Sequence, residues 1–333
     1  MEGVVAARAG GGAAASGPLV SVVTPVYNSA KYIRECIESV LGQTYRHFEY
    51  VVMDNCSTDR TLEIVRGYAE RDPRIRVLAA EEFVGPDPNA NRAVRAIDPA
   101  SRYVKIVHAD DWLFPECLER MVGLAEANPS VGVVSAYRLE ETRVTLDSLP
   151  PSLSVIPGRE VCRSSLSGRP WGYLFGSPTA TLLRADLVHA RETLYPEDNP
   201  FQSDWEVCYQ LLAESDFGFV HQVLTFTRRH NEADSRRYRR AGAELPGQIR
   251  LLLKYGPLYL TPAEYERKLA VRLAQYAGFL IARTPRLLES GFRGYQAKEI
   301  ERILAGIGPA EVLRGIWREV RHVAHRLRTS EGD

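Results

Sequence analysis

Apolar and polar positions alternate along the first 140 residues in a rhythm that predicts strands and helices in turn. Short β-branched apolar runs predict buried strands. The segments between them place apolar residues three or four positions apart, which is the spacing of an amphipathic helix. The predicted strands are 19–23, 48–54, 74–80, 103–107 and 131–139, and the predicted helices are 30–44, 57–72, 89–97 and 115–128.

This alternation predicts an α/β fold with an open, mostly parallel sheet and helices on both faces, because parallel neighbours need a long crossover connection. The rhythm loosens after residue 140, where a Pro-, Ser- and Gly-rich segment at 148–178 predicts a loop region. A helix at 204–215 and a strand at 217–229 follow. Beyond about residue 245 the pattern is nearly all helical.

The last part of the chain carries an apolar stripe between arginines. Residues 311–328 place Leu313 and Trp317 on one helical face, with Arg314 and Arg318 elsewhere around it. Such a helix either packs on its own domain with its basic face in water or lies on anionic lipid. Peripheral membrane contact through 311–328 is therefore one of two interpretations.

Composition and charge narrow the class of protein. The 333 residues can bury one large core or two modest ones, and 45% apolar with 25% charged residues is ordinary for a globular protein. The formal net charge is zero, but residues 1–221 carry 21 basic against 30 acidic side chains, and residues 222–333 carry 21 against 12. This asymmetry suggests an anionic partner for the C-terminal part, such as phosphate, a nucleotide or a membrane surface.

The cysteines and the first residues indicate the compartment. Five scattered cysteines without a C-x-x-C pair argue against a disulfide framework and a zinc site, and they favour a reducing compartment. Residues 1–18 are rich in Gly and Ala without a long apolar core, which predicts a disordered tail rather than a signal peptide. No run approaches 18 apolar residues, so the expected location is the cytoplasm. The cysteines are Cys36, Cys56, Cys117, Cys162 and Cys208.

Polar side chains follow the predicted strands, at the edge where an open parallel sheet binds its ligands. The turn after the first strand reads T-P-V-Y-N and contains no glycine. A nicotinamide dehydrogenase would need G-x-G-x-x-G there, and a nucleotide-sugar pyrophosphorylase would need a Gly-rich basic loop, so both classes are disfavoured. The candidate residues are Thr24, Pro25, Tyr27, Asn28, Asp54, Asn55, Asp59, His108, Asp110 and Asp111.

Two adjacent carboxylates, Asp110 and Asp111, close the apolar run 103–107. Like charges side by side at the end of a buried strand are costly unless something neutralises them. A hard divalent cation, Mg²⁺ or Mn²⁺, that also holds phosphate oxygens would do so. The alternative is that one of the two aspartates caps the helix that begins near Pro115.

Four segments taken in order, VSVVTPVYN, VVMDNCSTDRT, NANRAV and YVKIVHADDW, resemble the family 2 glycosyltransferases of the GT-A fold. The resemblance covers roughly residues 19–230. It implies a Rossmann-like, mostly parallel sheet with helices on both faces, followed here by a C-terminal helical extension. The implied division is a disordered tail at 1–18, a GT-A domain at 19–230 and a mainly helical region at 231–333.

The resemblance also implies an activity. It implies an inverting enzyme that moves a sugar from a nucleoside diphosphate to an acceptor hydroxyl, in surface glycan or glycolipid synthesis, with a divalent cation. The implied partners are a UDP-sugar as the first expectation and a glycan or lipid-linked acceptor, and no nucleic acid. A homodimer and contact with the inner face of the membrane stay open, as does a non-catalytic relative that binds nucleotide sugars or serves as an assembly subunit.

The family's nucleotide-binding residues map onto the first motifs. By that match, Thr24, Pro25 and Tyr27 line the base, and Asp54 accepts a hydrogen bond from it. Asn91 and Arg92 fall where the family has an A-R-N-like helix start beside the sugar nucleotide.

The match extends to the metal motif. The family's D-x-D motif often reads D-A-D-D, and here His108 replaces the first acid while Asp110, the carboxylate expected on the metal, is present. His108 either bonds a ribose hydroxyl or phosphate or is a buried, satisfied histidine.

Two later segments complete the match. Asp204 occupies the position of the acid that faces the acceptor, and Ser203 stands where another acid often precedes it. The alternative for Asp204 is an ordinary helix cap. Arg228 and His230 match an R-x-H-like end of the domain, which implies that Arg228 contacts the diphosphate and His230 reaches the metal; an exposed basic loop is the alternative.

Overall fold

A computed structural model of the chain describes residues 17–229 and 234–307, and for residues 234–237 it describes the backbone alone. Within them, ten strands form one sheet. The strands are β1 (Val20–Val26), β2 (Phe48–Asp54), β3 (Ile75–Ala79), β4 (Tyr103–Ile106), β5 (Trp112–Leu113), β6 (Val131–Glu140), β7 (Arg143–Thr145), β8 (Val155–Ile156), β9 (Leu182–Arg184) and β10 (Asp216–Thr227). The helices are α1 (Ile33–Leu41), α2 (Thr61–Ala69), α3 (Pro86–Arg95), α4 (Cys117–Ala127), α5 (Gly158–Ser167), α6 (Ala185–His189), α7 (Ser203–Leu211), α8 (Asp234–Ala241), α9 (Glu244–Tyr259), α10 (Pro262–Ala282) and α11 (Ser290–Ile307).

The strand order explains where a ligand can bind. The sheet runs β3-β2-β1-β4-β9-β6-β10-β5, with β7 beside β6 and β8 beside β10. The first four strands are parallel, and β6 and β10 are parallel to each other. The short strands β9 and β5 run antiparallel to their neighbours. The mostly parallel sheet is confirmed, and its parallel part brings the ends of β1, β2 and β4 to one edge.

Helices cover both faces of the sheet, as predicted. On one face, α1, α2 and α4 share a core cluster, in which α4 lies on β6 and β10 and α1 buries Ile33, Ile37 and Val40 at helical spacing. On the other face, α3, α5, α7 and α9 pack together in the larger core cluster. Burial of each such side chain contributes roughly 1.5–3 kcal/mol, so the site rests on a sheet held firmly from both sides.

The predicted loop region at 148–178 is wrong in part. It contains the strand β8 and the ten-residue helix α5, which buries Val161, Cys162 and Leu166. The helix ends at Gly168, whose φ of 78° lies in the left-handed region that favours glycine. The serines and glycines around this short apolar stripe hid it in the sequence pattern.

The C-terminal helices continue the fold. Helix α9 joins the larger core cluster through Leu252, Tyr255 and Tyr259, and α10 begins with a capping box between Thr261 and Glu264. The C-terminal helical extension is thus confirmed for the described residues. No helix in the described part of the chain is long and apolar enough to cross a membrane. Residues 1–16 and the predicted amphipathic helix at 311–328 lie outside the described residues.

Candidate active site

The loops that follow β1 and β2 form one wall of the candidate site. Asn28, at a positive φ of 45°, accepts a hydrogen bond from the backbone N–H of Thr58 at 2.8 Å, and its own N–H donates to Ser57 at 2.9 Å. Asp59 accepts from the backbone N–H of Ala30 at 3.0 Å. These bonds between loops 30 residues apart fix both strand ends before any ligand arrives.

Asp54 ends β2 in a buried position beside this wall. Its Oδ2 accepts a hydrogen bond from the backbone N–H of Ser57 at 3.1 Å. Its Oδ1 is buried and has no hydrogen-bond partner among the described residues. A buried acceptor without a partner costs roughly 1–3 kcal/mol, so this oxygen is suited to a donor supplied by a ligand.

An exposed pair of aromatic rings lies on the loops that adjoin Asp54, because Tyr27 follows Val26, which pairs with Asp54 in the sheet. Tyr27 is 44% exposed and Phe83 is 59% exposed, with ring centroids 4.7 Å apart. The Phe83 loop is held in place because the Asn55 amide bonds the backbone of Val84 in both directions, at 2.8 and 3.0 Å. Sequence reasoning missed Phe83, since its loop between β3 and α3 carries no motif of its own.

The other two predicted base contacts sit deeper. Thr24 is fully buried in β1, and its hydroxyl lies 3.0 Å from the hydroxyl of Tyr50 in the core. Its side chain therefore does not face the strand edge, and any ligand contact it makes comes from its backbone. Pro25 is partly exposed in the same strand.

The loop after β4 separates the roles of the two adjacent aspartates. Asp111 is buried, and its carboxylate accepts from the backbone N–H of Arg228 at 3.0 Å and from the hydroxyl of Thr227 at 3.3 Å. Burial, together with the charge of Asp110, raises the pKa of Asp111 to about 6. Asp110 is partly exposed. The inner carboxylate thus ties the loop to the end of β10, and the outer one lies closer to solvent.

Neither aspartate caps a helix. The N-cap residue of α4 is Glu116, without a side-chain cap bond, so the capping alternative is wrong. The preceding strand β4 carries a buried basic residue. Lys105 is fully buried, and its Nζ donates to the carbonyls of Thr179 and Thr181 at 2.6 and 3.1 Å.

Arg228 is fixed against the Asp110 loop. Its Nε donates to the backbone carbonyl of Asp110 at 3.2 Å, and its guanidinium bonds Glu35 at 2.6 Å. The guanidinium also lies over the rings of Tyr32 and Trp112, at 4.9 and 5.2 Å. The predicted metal ligand His230 lies outside the described residues.

The donor set decides what kind of cation site this loop could form. No group of three or more His, Cys, Asp and Glu side chains that could hold a metal ion occurs within residues 17–229 and 234–307. Mg²⁺ is commonly held by one or two carboxylates together with substrate phosphates. Asp110 therefore fits a cation shared with a bound diphosphate rather than a site made by protein ligands alone.

Asp204 occupies the first turn of α7. The N-cap residue of this helix is Gln202, so the alternative that Asp204 is a helix cap is wrong. Burial raises the pKa of Asp204, and the nearby His108 opposes that rise. His108 is itself partly exposed, which disfavours the interpretation as a buried histidine. A carboxylate with a raised pKa at a sheet edge can accept a proton.

A second carboxyl group, missed by the sequence analysis, stands beside Asp204. Asp87 in the first turn of α3 is 8% exposed, and its Oδ1 accepts from the hydroxyl of Ser203 at 2.9 Å. Burial raises the pKa of Asp87 to about 7, with further contributions from Asp204, Glu197 and Glu206.

The two α3 residues predicted beside the sugar nucleotide have other partners. The Asn91 amide is buried and bonds the backbone N–H and carbonyl of Tyr195, both at 2.9 Å. Its side chain therefore holds the 190s loop, and the predicted ligand contact of Asn91 stays a prediction. Arg92 pairs with Glu82 at 3.0 Å, so a ligand would have to compete with that carboxylate.

Comparison with known proteins places the chain. A sequence profile described as glycosyl transferase family 2 matches residues 21–189, just over half of the 333 residues. TuaG of Bacillus subtilis strain 168, a glycosyltransferase assigned provisionally to teichuronic acid biosynthesis, is 39% identical over 105 residues, which is 32% of this chain and 41% of that protein. YibD of Escherichia coli K12, an uncharacterized glycosyltransferase, is 32% identical over 161 residues, 46% of each chain. The matched stretch thus spans less than half of either relative.

Solved structures share the fold. S. aureus TarS 1-349 in complex with UDP-GlcNAc matches with a TM-score of 0.63 at 20% identity, over 93% of this chain and 87% of that one. The mannosyltransferase PcManGT of Pyrobaculum calidifontis, in complex with GDP-Man and Mn²⁺, matches with a TM-score of 0.54 at 19% identity, over 90% and 88%. The fold is GT-A, with the C-terminal helices added.

Proposed function

The chain belongs to glycosyl transferase family 2, and on that premise we propose that it transfers a sugar from a nucleoside diphosphate to an acceptor hydroxyl, with inversion at the anomeric carbon. The observation that carries the proposal is the buried, unpartnered Oδ1 of Asp54 beside the exposed rings of Tyr27 and Phe83. A carboxylate oxygen and two aromatic faces match the N–H donor and the flat ring of a nucleobase.

The donor is proposed to be a UDP-sugar. The N–H group of uracil would donate to Asp54, and its ring would stack on Tyr27 and Phe83. Structures of this fold that are described as bound to UDP-GlcNAc and to GDP-Man support a nucleotide sugar as the donor. Guanine also presents a ring N–H, so the test below includes both nucleotides.

Asp110 would hold the divalent cation together with the donor's diphosphate, with His230 as a further ligand. When bound, such a cation supplies Lewis-acid stabilisation of the charge on the departing diphosphate. Arg228 adds a guanidinium that is already fixed by Glu35 and by the Asp110 carbonyl. Charge that needs no reorganisation during the reaction is the most effective kind.

Asp204 is proposed to take the proton of the acceptor hydroxyl. As the acceptor oxygen bonds to the anomeric carbon from the opposite face, the bond from that carbon to the diphosphate breaks and its electron pair leaves with the diphosphate. General-base assistance of this kind contributes about 10²–10⁴-fold in rate. The raised pKa of Asp204 suits the role, because a stronger base holds the proton better.

The acceptor is proposed to be a hydroxyl of a glycan or a lipid-linked saccharide in surface-glycan synthesis. The support is the relative assigned provisionally to teichuronic acid biosynthesis. Membrane contact through 311–328 belongs to the same proposal, and sedimentation with anionic liposomes, with and without residues 300–333, tests it.

A thermal-shift screen with UDP, GDP and their sugars, with and without Mn²⁺, tests the proposal. A nucleotide that binds only the folded protein stabilises it by about 2.7 kcal/mol at one hundred times its Kd. We expect UDP with Mn²⁺ to raise the Tm, and Asp110→Ala to remove the Mn²⁺-dependent part of that rise. If no nucleoside diphosphate raises the Tm of the wild-type protein, the proposal is rejected.

A further inference from the structure

The interface between α3 and α7 brings two carboxyl groups together from distant parts of the chain. Asp87 is the second residue of α3, and Asp204 is the second residue of α7. The hydroxyl of Ser203, the residue next to Asp204, donates to Oδ1 of Asp87 at 2.9 Å across 116 positions of sequence. The head of α7 is therefore tied to a carboxyl group on another helix.

The Asp87 carboxyl group is poorly compensated. Its Oδ2 is buried and has no hydrogen-bond partner among the described residues, and no Lys or Arg in that part of the chain forms an ion pair with it. Three acids face it: Asp204 and Glu206 on α7, and Glu197 in the preceding loop. Glu206 is neutralised by Lys254 at 2.9 Å, whereas no Lys or Arg of the described residues forms an ion pair with Asp204 or Glu197. The charge of His108 also acts on Asp204 and opposes the rise of its pKa.

A buried carboxyl group among other acids destabilises the fold, since its charged form loses hydration without gaining a cation. A protein that keeps such a group at the edge of its active site gives up stability there, and perturbed groups of this kind cluster at functional sites. An asparagine would accept the same Ser203 bond without the charge. What the aspartate adds is the charge itself.

We propose that Asp87 is a positioning residue of the transfer reaction: it holds the first turn of α7 through Ser203, and its negative charge strengthens Asp204 as a proton acceptor. The proposal rests on the role proposed for Asp204 above. It assigns Asp87 no bond-making step, because the acceptor's proton goes to Asp204 alone.

The order of ionisation follows from the charges. The negative charge of Asp204 is one of the causes that raise the pKa of Asp87. A base that works near pH 7 must already be ionised, so the proposal requires that Asp204 ionises first and Asp87 second. Near pH 7 the second ionisation places a negative charge beside Asp204. The rate of transfer then rises in two steps with pH, and the upper step, near pH 7, belongs to Asp87.

Asp87→Asn removes the negative charge at position 87 and keeps an acceptor for the hydrogen bond from Ser203. Above pH 8 we expect the turnover of this variant to fall about three- to tenfold and the step near pH 7 to disappear. The Tm moves the other way. Between about pH 4 and 7, Asp87 carries a proton in the folded protein but not in the unfolded chain. The free energy of unfolding of the wild type therefore falls as the pH rises through this window, and Asp87→Asn removes that fall. At pH 8 the variant is therefore more stable and less active than the wild type.

Two further variants control the result. Ser203→Ala removes the hydroxyl that lowers the pKa of Asp87, so the upper step moves to higher pH. Asp186→Asn changes the second residue of α6, an exposed aspartate paired with Arg184 at 2.7 Å, and both rate and Tm profiles stay as in the wild type. Turnover is measured as release of nucleoside diphosphate from the sugar donor that raises the Tm most.

The outcomes distinguish the two proposals. An Asp87→Asn variant that keeps the step near pH 7, or that loses both activity and Tm at pH 8, overturns the role of Asp87 while leaving the transferase proposal intact. If the wild-type protein releases no diphosphate from any donor, the transferase proposal fails, and the coupling is judged by Tm alone. Asp204→Asn removes a charge that raises the pKa of Asp87, so the fall in Tm with rising pH must then occur at lower pH. If it occurs at the same pH as in the wild type, the coupling between Asp87 and Asp204 is overturned.

Discussion

The two ends of the candidate site are built in different ways. At the nucleotide end, Asn28, Asn55 and Asp59 bond neighbouring loops, so that the surroundings of Asp54 are fixed by residues of the same motifs. At the transfer end, Asp204 and Asp87 come from two helices distant in sequence, tied by the bond from Ser203 to Asp87 across 116 positions, and their negative charges repel each other. The first end is rigid and well satisfied apart from one acceptor oxygen. In our proposal the second gives up stability for reactivity, which is where a stability–activity trade-off is expected.

The largest effect should come from the transfer end. Asp204→Asn removes the proton acceptor, so transfer should fall about 10²–10⁴-fold while UDP still raises the Tm as in the wild type. Diphosphate release and thermal shift measured on one preparation check this. If Asp204→Asn keeps its turnover, or if UDP no longer raises its Tm, then the two ends of the site do not have separate roles in transfer and in nucleotide binding.

The nucleotide end should respond in binding. Asp54→Ala removes the acceptor offered to the base, and hydrogen bonds to charged groups are worth about 1.5–3 kcal/mol, so the Kd for UDP should rise about 10- to 100-fold. Isothermal titration measures the change. Asp186→Ala, on an exposed side chain, serves as the control and should leave the Kd unaltered.

Phe83 offers a finer test of the same end. Stacking of a base on an aromatic ring is worth about 1–3 kcal/mol, and the partly solvated ring of Phe83 belongs at the low end of that range. Phe83→Ala should therefore weaken UDP binding about fivefold without lowering the Tm, because the ring is 59% exposed. Leu288→Ala, at an 82% exposed apolar residue, should change neither.

The smallest effect concerns backbone strain. Cys56 has a φ of 61°, which is costly for a side chain with a Cβ. Cys56→Gly should raise the free energy of unfolding by about 0.5–1 kcal/mol, since relief of strain outweighs the added freedom of the unfolded chain. A shift of the urea midpoint at constant slope measures it. A decrease would mean that the strained loop is held by contacts of the thiol.

The sequence predicts the regular part of the fold well. The strand 48–54 coincides with β2, and 103–107 exceeds β4 by one residue, because long apolar runs buried on both faces leave little choice. Strands β5 and β8 have two residues each and β9 has three. So few positions carry no periodicity, and tertiary pairing alone makes them strands.

The candidate site divides in the same way. Asp54, Asp110 and Asp204 were predicted because each lies at or shortly after the end of a strand, or in the first turn of a helix, within a recognisable motif; their roles stay proposals. Asp87 and Phe83 were missed because nothing in their own segments marks them: Phe83 matters through the Asn55–Val84 bonds, and Asp87 through Ser203. Asn91 stands in a motif position and also holds a loop through its bond to the Tyr195 carbonyl.

The contact between Ser203 and Asp87 also constrains how this protein can diverge. A carboxylate introduced at position 203 would meet the one already at 87, and two adjacent acids without a cation repel each other. Among descendants of this chain, substitutions at the two positions should therefore be correlated, with one acid retained between them. A lineage that gained a glutamate at 203 would be free to lose the aspartate at 87, and the order of those two changes would decide which intermediate selection tolerates.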